Sequence, residues 1–467
     1  MKPLRILMLG WEFPPLINGG LGIACYGMAK ALSKHAEVTV ILPRTDPEFR
    51  LQNVQLTGIG NLSVEEIKRN FSQREIEITY EEEYEQVIRS YRKFSEVQTI
   101  PASLSPYGEQ ERQSQDIQLN KLIPETSVQK VKVPKTKRLL ISDEAPPDEQ
   151  IANDIQVFNE GKLYDEDLTR RVFNFAQYAS RIALQYDFDI IHAHDWMTAL
   201  AGIEIKKLTG KPLAWHAHAL MYDRGGPSSR GMVYDIETHV MRTADAIIPV
   251  SFYTGKIIQE HLGVPQNKIY PIHNGADPVE VFHVKKRFPE KLVLFLGRIT
   301  GQKGPEIFLE IADRVLLRHS KVRFVMAGDG DKLKRLIEEG AYKQVGNKFH
   351  FTGFLGRDNV NKLLAMADIY CMPSVSEPFG LSALEAAQFG VPMVISKQSG
   401  AAEVLSGALT ADHWDVYKMA DQIVELLENE KLCQDLVQQN FEDIKHLTWD
   451  DTAQKLMKVF EKLCYVA

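Results

Sequence analysis

Residues 5–43, "RILMLGWEFPPLINGGLGIACYGMAKALSKHAEVTVILP", contain a complete strand–turn–helix–strand unit, from which the fold class can be predicted. The apolar run at its start and "VTVILP" at its end each indicate a buried strand. The apolar residues between them recur at helical spacing: Leu21, Ala24, Cys25, Met28 and Leu32. This spacing predicts a helix over about 21–35. A strand, a helix and a strand in this order are typical of a parallel sheet with helices on both faces.

Gly19, Gly20 and Gly22 stand between the first strand and the helix. A glycine-rich turn lets the backbone approach a ligand, and the helix start offers N–H groups and a partial positive charge to phosphate. The spacing matches neither G-x-G-x-x-G nor G-x-x-x-x-G-K-[ST]. By itself the turn leaves two interpretations open, a phosphate-binding loop and a chain reversal that binds nothing.

Composition and charge bound the class of protein. A chain of 467 residues with 44% hydrophobic and 25% charged residues predicts two or three globular domains of roughly 150 residues each. The net charge of −7 gives no general attraction for nucleic acid or anionic membranes, so we predict neither as a partner.

The compartment follows from the apolar runs and the cysteines. No apolar run approaches the roughly 20 residues of a membrane span, and the chain enters a strand too early to leave room for a signal peptide. The four cysteines, Cys25, Cys371, Cys433 and Cys464, form no C-x-x-C pair. We therefore predict a soluble cytoplasmic protein with buried thiols.

Strands and helices alternate in two series, which predicts two lobes. We place the first lobe at 1–280 and the second at 281–447, with a charged linker near 277–291. A polar stretch at about 45–147 interrupts the first lobe and is predicted to be an insertion; within it residues 80–94 look helical. The basic run 130–138 is predicted to be a solvated face. An amphipathic helix over 448–467 ends the chain.

The strongest chemical signal is "SVSEPFGLSALEAAQFGVP", residues 374–392. Pro378 ends a strand, Gly380 permits a close approach, and a helix begins near Leu381. Glu377 and Glu385 are then predicted at the carboxyl edge of a parallel sheet, where ligands bind in open α/β folds. Carboxylates there suit sugar hydroxyls or developing positive charge, and backbone N–H groups at the helix start suit phosphate.

A basic pair in "LFLGRITGQKG", residues 294–304, is predicted at the same edge. Arg298 and Lys303 follow the first strand of the second lobe. A guanidinium fork and an ammonium there would neutralise a diphosphate. A basic pair in a surface loop is the alternative interpretation, and the neighbouring Glu377 motif favours the diphosphate.

Histidines follow two strands of the first lobe, in "DIIHAHDWMTALAG" and "WHAHALMYDRGG". His192 and His194 alternate along one strand, and His216 and His218 along the next, so each pair shares a face. They could bind a metal, but no cysteine or glutamate partner lies at ligand spacing, and we predict none. Asp195 is either a helix N-cap or a ligand-binding residue.

With these residues placed, the chain resembles the retaining GT-B glycosyltransferases, particularly the glycogen/starch synthase group. Six stretches carry the resemblance in that family's order: "WEFPP…NGGLG", "FDIIHAHDWMTALAG", "PVSFYTGKII", "HNGAD", "GRITGQKG" and "SEPFGLSALEA". The resemblance implies an α/β GT-B fold of two Rossmann-like lobes with a deep interdomain cleft for a nucleotide-sugar donor. It also implies that neither a metal nor another cofactor is used.

The resemblance assigns roles to individual residues. Arg298 and Lys303 would hold the donor diphosphate, Glu377 would lie by the transferred sugar and Glu385 on the ribose. Gly20 would approach the diphosphate and His194 the sugar. The predicted catalytic residues are Glu377, His194, Arg298 and Lys303. The predicted substrate-binding residues are Gly19, Gly20, His192, Asp195, Asn274, Phe379, Gly380, Leu381 and Glu385.

The implied reaction is transfer of glucose from ADP-glucose or UDP-glucose to the non-reducing end of an α-1,4-glucan, with retention. Two alternatives stay open: a related retaining transferase with a small sugar, lipid or cell-surface acceptor, and a protein that binds glucan or nucleotide sugar without turnover. The chain departs from the group at Asn18, where lysine is typical, and at Met197, where histidine is frequent. The oligomeric state is left open.

Overall fold

The computed structural model describes residues 3–16, 19–71, 74–80, 135–141, 145–161, 163–164, 167–282, 284, 286–343, 345 and 347–465. For 74–80 and 135–141 it describes the backbone alone. Asn18, the predicted helical stretch beyond Tyr80 and the start of the basic run 130–138 lie outside these residues.

The strands follow one another in chain order as β1 (Arg5–Leu9), β2 (Glu37–Leu42), β3 (Val54–Gly58), β4 (Arg74–Tyr80), β5 (Lys135–Ile141), β6 (Ile190–His194), β7 (Leu213–Ala217), β8 (Ala246–Pro249), β9 (Lys291–Leu296), β10 (Val322–Ala327), β11 (Phe349–Gly353), β12 (Ile369–Met372), β13 (Met393–Ser396) and β14 (Leu409–Ala411). 

The α-helices are α1 (Gly20–Leu32), α2 (Val64–Lys68), α3 (Asp148–Asn159), α4 (Leu168–Ile182), α5 (Asp195–Thr209), α6 (Met221–Gly225), α7 (Met232–Thr243), α8 (Phe252–Leu262), α9 (Pro305–Leu316), α10 (Leu333–Tyr342), α11 (Arg357–Met366), α12 (Leu381–Gln388), α13 (Val416–Glu428), α14 (Glu430–Ile444) and α15 (Trp449–Tyr465).

Two six-stranded sheets organise the described part of the chain. The first has the order β3-β2-β1-β6-β7-β8 and the second the order β11-β10-β9-β12-β13-β14. The strand pairs with a recorded register within both sheets are parallel. Counted from its own first strand, each sheet has the order 3-2-1-4-5-6, which defines a Rossmann-like lobe. The predicted α/β class with two such lobes is confirmed.

The second sheet is buried on both faces, as its sequence pattern requires. Along β9, Val293 and Phe295 belong to one apolar cluster, while Leu292 and Leu294 belong to the other. Helices α9 and α13 cover the first cluster and α12 covers the second. A strand covered on both sides loses apolar–polar alternation, which is why "KLVLFL" is apolar throughout after its first residue.

By contact the chain forms two units. The first comprises Met1–His216, Asp235–Ile247 and Met457–Ala467, and the second comprises Ala217–Tyr234 and Ile248–Leu456. Residues 248–280, which the sequence analysis placed in the first lobe, thus group with the second sheet. The end of α15 belongs to the first unit, where Phe460 is buried with its ring 5.1 Å from that of His192.

The polar stretch at 45–147 contains an element that the sequence analysis did not separate from the insertion. Val54–Gly58 is the edge strand β3, paired in parallel with β2. Its residues are mostly half-exposed, so that they lack the apolar run of the buried strands. Farther along, β4 and β5 form an antiparallel hairpin that pairs Arg74 with Ile141 and Tyr80 with Lys135.

Candidate active site

Strand order places a ligand crevice in each unit. The order of the first sheet reverses between β1 and β6, and that of the second between β9 and β12. In open parallel sheets ligands bind outside the carboxyl ends of the strands at such a point. The predicted residues follow these four strands: Gly19, Gly20, Asp195, Arg298, Lys303, Glu377 and Gly380.

In the second unit, Lys303 and Glu377 form an ion pair. The ammonium of Lys303 contacts Glu377 Oε2, and Ser374 Oγ lies 3.4 Å from the same oxygen. Glu377 is 5% exposed. Because a buried carboxylate requires a charge partner, Lys303 is the group that makes burial of Glu377 tolerable. The sequence placed both residues at this edge but did not predict that they touch.

The turn that follows Glu377 depends on Gly380. Its φ of 102° lies in the left-handed region, and an added Cβ would stand 3.1 Å from Met372 Cε and 3.3 Å from Glu377 Cγ. Gly380 is the N-cap of α12 and has no side chain with which to cap this helix start. The first-turn N–H groups of α12 are therefore presented at the carboxyl edge of the sheet, beside Glu377.

The remaining second-unit candidates differ in exposure. Arg298 is exposed, whereas Phe379 is buried with its ring 5.8 Å from that of His273. Glu385 is half-buried and pairs with the guanidinium of Arg357. Asn274 is buried, and its Oδ1 has no hydrogen-bond partner among the described residues. An amide oxygen in that state is suited to accept a bond from a ligand.

A buried carboxylate that the sequence analysis missed lies beside this loop. Asp223 Oδ1 accepts a hydrogen bond from Ser376 Oγ at 2.5 Å, and the hydroxyl of Tyr253 lies 3.0 Å from the same Oγ. Burial raises the pKa of Asp223 to about 6, although the hydrogen bonds from Ser376 and the Leu220 N–H act to lower it. No local motif marks this contact, because Asp223 and Ser376 are 153 positions apart.

In the first unit, the glycine turn meets a carboxylate. The N–H of Gly19, the N-cap of α1, donates to Glu12 Oε2 at 3.1 Å. Glu12 is 2% exposed, and Gly19 and Gly20 are exposed. An acidic group at a helix start stabilises that start as a phosphate would. The sequence reasoning did not consider Glu12.

Three histidines of the first unit form one buried cluster. His192 and His194 share a face of β6 with ring centroids 4.2 Å apart, and His192 Nε2 lies 3.1 Å from Nδ1 of His216. One ring nitrogen of each histidine lies within 4.8 Å of the others, so this group could hold a metal ion. That the protein uses no metal stays a prediction.

Asp195 does not take the N-cap position, which was one of the two roles left open for it; His194 is the N-cap of α5. Asp195 is the first residue of α5 with φ 56°, and its carbonyl accepts the indole N–H of Trp215 at 2.9 Å. The hydroxyl of Thr198, not an Asp195 oxygen, accepts the His194 N–H. A left-handed non-glycine residue is a strained conformation that functional sites often contain.

Among the described residues, none of the helices has the length and apolar character that crossing a bilayer requires. All four cysteines are free thiols, and Cys25 and Cys371 are buried.

Comparison with known families identifies the class. The model described as glycosyl transferases group 1 matches residues 279–443, glycosyltransferase family 4 matches 139–280, and the starch synthase catalytic domain matches 5–118. Together with the two Rossmann-like lobes, these matches show a GT-B fold that carries a group 1 glycosyltransferase domain in residues 279–443.

Within that class, its homologues include glycogen synthase. The chain is 31% identical to the glycogen synthase of Mycobacterium tuberculosis over 48% of this chain, and the match spans only 55% of that enzyme. It is 29% identical to an uncharacterized glycosyltransferase of Methanocaldococcus jannaschii over 59% of this chain and 75% of that protein. It is 33% identical to the 2-deoxystreptamine N-acetyl-D-glucosaminyltransferase of Niallia circulans, over 32% and 39% of the two chains.

Solved structures agree in fold. The sucrose-phosphate synthase of Thermosynechococcus elongatus superposes with a TM-score of 0.64 at 15% identity, covering 99% of this chain and 100% of that one. The catalytic domain of starch synthase IV from Arabidopsis thaliana, bound to ADP and acarbose, gives 0.59 at 15% identity over 99% and 100%.

Proposed function

We propose that this glycosyltransferase is a retaining enzyme that transfers glucose from ADP-glucose or UDP-glucose to the non-reducing end of an α-1,4-glucan. The observation that carries the proposal is the Lys303–Glu377 pair at the carboxyl edge of the second sheet, beside the uncapped start of α12. The ammonium of Lys303 and the helix N-terminus are suited to bind the phosphates of a nucleoside diphosphate sugar, and the carboxylate of Glu377 is suited to its sugar.

In this proposal the second unit binds the donor. Lys303 would contact the diphosphate while remaining paired with Glu377, and exposed Arg298 would contact it from the loop after β9. The N–H groups at the start of α12 would bind phosphate or sugar oxygens. Glu385 would accept a hydrogen bond from a ribose hydroxyl, and Asn274 Oδ1 would accept one from another hydroxyl of the ligand.

The chemical step is departure of the nucleoside diphosphate from the anomeric carbon. Fixed positive charge at Lys303, Arg298 and the helix start stabilises the charge that develops on the leaving phosphate. The buried Glu377 carboxylate stabilises the oxocarbenium-like sugar. The acceptor oxygen bonds to the anomeric carbon from the face that the diphosphate has just left, and its proton goes to a leaving phosphate oxygen, which gives retention without a protein nucleophile.

In the first unit, the proposal assigns sugar-binding roles to a histidine of β6 and to the glycine turn. His194 would donate to or accept from a sugar hydroxyl, with His192 and His216 fixing its ring. Gly20 would approach the donor through its backbone, and Gly19 is already bonded to Glu12. No metal or other cofactor is required, because lysine, arginine and backbone dipoles balance the diphosphate charge.

A second candidate is a retaining transferase with a small acceptor. The similarity to the 2-deoxystreptamine N-acetyl-D-glucosaminyltransferase, which is named for a small acceptor and matches over 32% of this chain, supports this candidate. The two candidates share the donor site and differ in what the first unit binds.

One panel separates these candidates. Radiolabelled ADP-glucose, UDP-glucose and UDP-N-acetylglucosamine are each offered with glycogen, with maltose and with an aminocyclitol. Transfer to glycogen supports the glucan synthase, and transfer to a small acceptor alone supports the second candidate. Arg298→Ala and Lys303→Ala should each reduce transfer by about 10²-fold or more. Nucleotide binding with no transfer to any acceptor would instead indicate a binding protein.

A further inference from the structure

A buried hydrogen-bond chain holds the side chain next to Glu377. Ser376 Oγ donates to Asp223 Oδ1, so the hydroxyl of Tyr253 is the donor in its 3.0 Å contact with Ser376. Asp223 and Ser376 are 3% and 4% exposed. Water does not compete for these bonds, and the carboxylate therefore fixes the orientation of the Ser376 side chain.

Asp223 links this loop to a helix that is distant in sequence. Its second oxygen, Oδ2, accepts the N–H of Leu220 at 2.7 Å, which ties the carboxylate to the start of α6. Helix α6 groups by contact with the second unit. Both carboxylate oxygens thus accept a hydrogen bond, one from the Leu220 N–H at the start of α6 and one from Ser376 in the loop after β12.

The loop has backbone and side-chain anchors. The N–H of Glu377 donates to the carbonyl of Gln398 at 2.8 Å, and the carbonyl of Glu377 accepts from Gly400 at 3.0 Å. The side-chain anchors act on adjacent residues, Lys303 on Glu377 and Asp223 on Ser376. Loss of the Ser376 anchor would leave Lys303 and the backbone hydrogen bonds to hold this loop, so that the loop would open more easily.

We propose that Asp223 is a positioning residue for Glu377: by accepting the Ser376 hydroxyl, its carboxylate holds the loop that presents Glu377 to the donor sugar. The role of Glu377 in transfer rests on the proposed function, but the anchoring of the loop does not. Asp223 itself acts through Ser376 and is assigned no contact with the donor.

Protonation of Asp223 would weaken this anchor, because it removes the charge that strengthens the hydrogen bond with Ser376. Burial raises the pKa of its carboxyl to about 6; the charge of Glu377 adds to the rise and that of Arg224 opposes it. Tyr222 and Tyr253 also face Asp223, and the pKa of each phenol is raised, so both are neutral in this range. A protonated carboxyl donates to Ser376 instead of accepting from it, and the chain of hydrogen bonds reverses.

Hydrogen exchange tests the anchor without requiring any activity. In the full chain, Asp223→Asn and Ser376→Ala should each speed amide exchange over 374–381 by about tenfold, because local opening becomes easier. Exchange in α11, Arg357–Met366, should stay unchanged and serves as the internal reference. Unchanged exchange over 374–381 in both variants would overturn the proposal.

Kinetics with the donor that the wild-type protein uses then test positioning. Asp223→Asn should lower kcat by about 10²-fold and leave the donor KM within about twofold, since misplacement impairs the reacting geometry. The acid limb of the wild-type kcat profile near pH 6 should disappear in this variant. Asp421→Asn, at an exposed carboxylate of the same unit, is the matched control.

Two results would count against the positioning role: an acid limb that persists unchanged in Asp223→Asn, and a wild-type kcat in that variant. A wild-type protein that transfers sugar to no acceptor would refute the proposed function instead, and the exchange experiment would then decide the anchor by itself.

Discussion

Lys303 and Glu377, 74 positions apart, form an ion pair at the point where the strand order of the second sheet reverses. One residue follows β9 and the other follows β12, so the topology of the sheet brings them together. Glu377 is buried and Lys303 is nearly so. On one side the ammonium of Lys303 pairs with the buried Glu377 carboxylate, and its other side can bind an anionic ligand.

Replacing Lys303 should lower the stability of the protein, whereas replacing Glu377 should lower its transfer activity and leave the fold intact. Lys303→Ala leaves the Glu377 carboxylate buried without its cation and should lower the free energy of unfolding by roughly 3 kcal/mol. Glu377→Gln should retain the fold and lose about 10²-fold in transfer. The double variant Lys303→Met/Glu377→Gln should recover stability but not transfer, as measured by urea unfolding and label incorporation.

Lys397→Ala is the control for this pair. Lys397 bonds to Asp412 in the same unit, but about half of its side chain is exposed. Its removal should change the unfolding free energy by less than about 1 kcal/mol. A comparable loss in Lys397→Ala and Lys303→Ala would contradict the special role of the buried pair.

Gly380→Ala should destabilise the turn and weaken donor binding. Its φ of 102° costs an alanine about 1–2 kcal/mol, and the added methyl group also meets Met372 and Ala401 at 3.1 and 3.2 Å. Calorimetry with ADP and UDP, together with thermal unfolding, measures both effects. Gly356→Ala is the control, because Gly356 also caps a helix but has φ −70° and open space around it. Equal effects of the two substitutions would contradict the argument.

The pH dependence of stability should identify Asp223 independently of catalysis. Its pKa is about 6 in the folded protein against an ordinary value of 3.8 for an aspartate carboxyl, so the folded state binds the proton more tightly. The wild-type protein should therefore gain stability relative to Asp223→Asn as pH falls from about 7 to about 4, by on the order of 2 kcal/mol. Unfolding of both proteins across this range measures the difference.

Only the difference between the two proteins is informative in that experiment. Burial lowers the pKa of His239 to about 4, so its contribution to stability is lost as pH falls, in both proteins alike. A difference that does not change with pH would show that Asp223 has an ordinary pKa in the folded state.

Chelation should leave transfer unchanged. The cluster of His192, His194 and His216 could hold a metal, but the diphosphate charge is balanced in our proposal by Lys303 and Arg298. Dialysis against EDTA followed by elemental analysis and the transfer assay tests this. Activity that falls on dialysis and returns with Zn²⁺ would assign the histidine cluster a metal instead.

Much of the fold could be predicted from short-range pattern. Buried strands such as β1 and β9 are unbroken apolar runs, and glycines and polar residues mark the turns between them. Strand β3 was missed because an edge strand with half-exposed residues has no such run. The polar composition that predicts an insertion over 45–147 describes an exposed sheet edge equally well.

The candidate site likewise has residues that local motifs predict and contacts that no local motif marks. The motifs around Arg298, Lys303 and Glu377 are local, and the chain order of the strands brings them to one edge. The contact between Asp223 and Ser376 depends on how α6 docks, and no spacing rule covers 153 positions. Glu12 was overlooked for a different reason: it lies only seven positions before Gly19, but attention to glycine spacing ignores the carboxylate that caps the turn.

The hairpin of β4 and β5 has a consequence for how this chain can vary. Pairing of Tyr80 with Lys135 returns the backbone to the place from which it departed. The two strand ends at Tyr80 and Lys135 are neighbours, so that the pairing of β4 with β5 needs only a connection that joins them, whatever its length. Evolution can treat this position as an interchangeable module, and so can an engineer who needs a site for a tag or a fused domain.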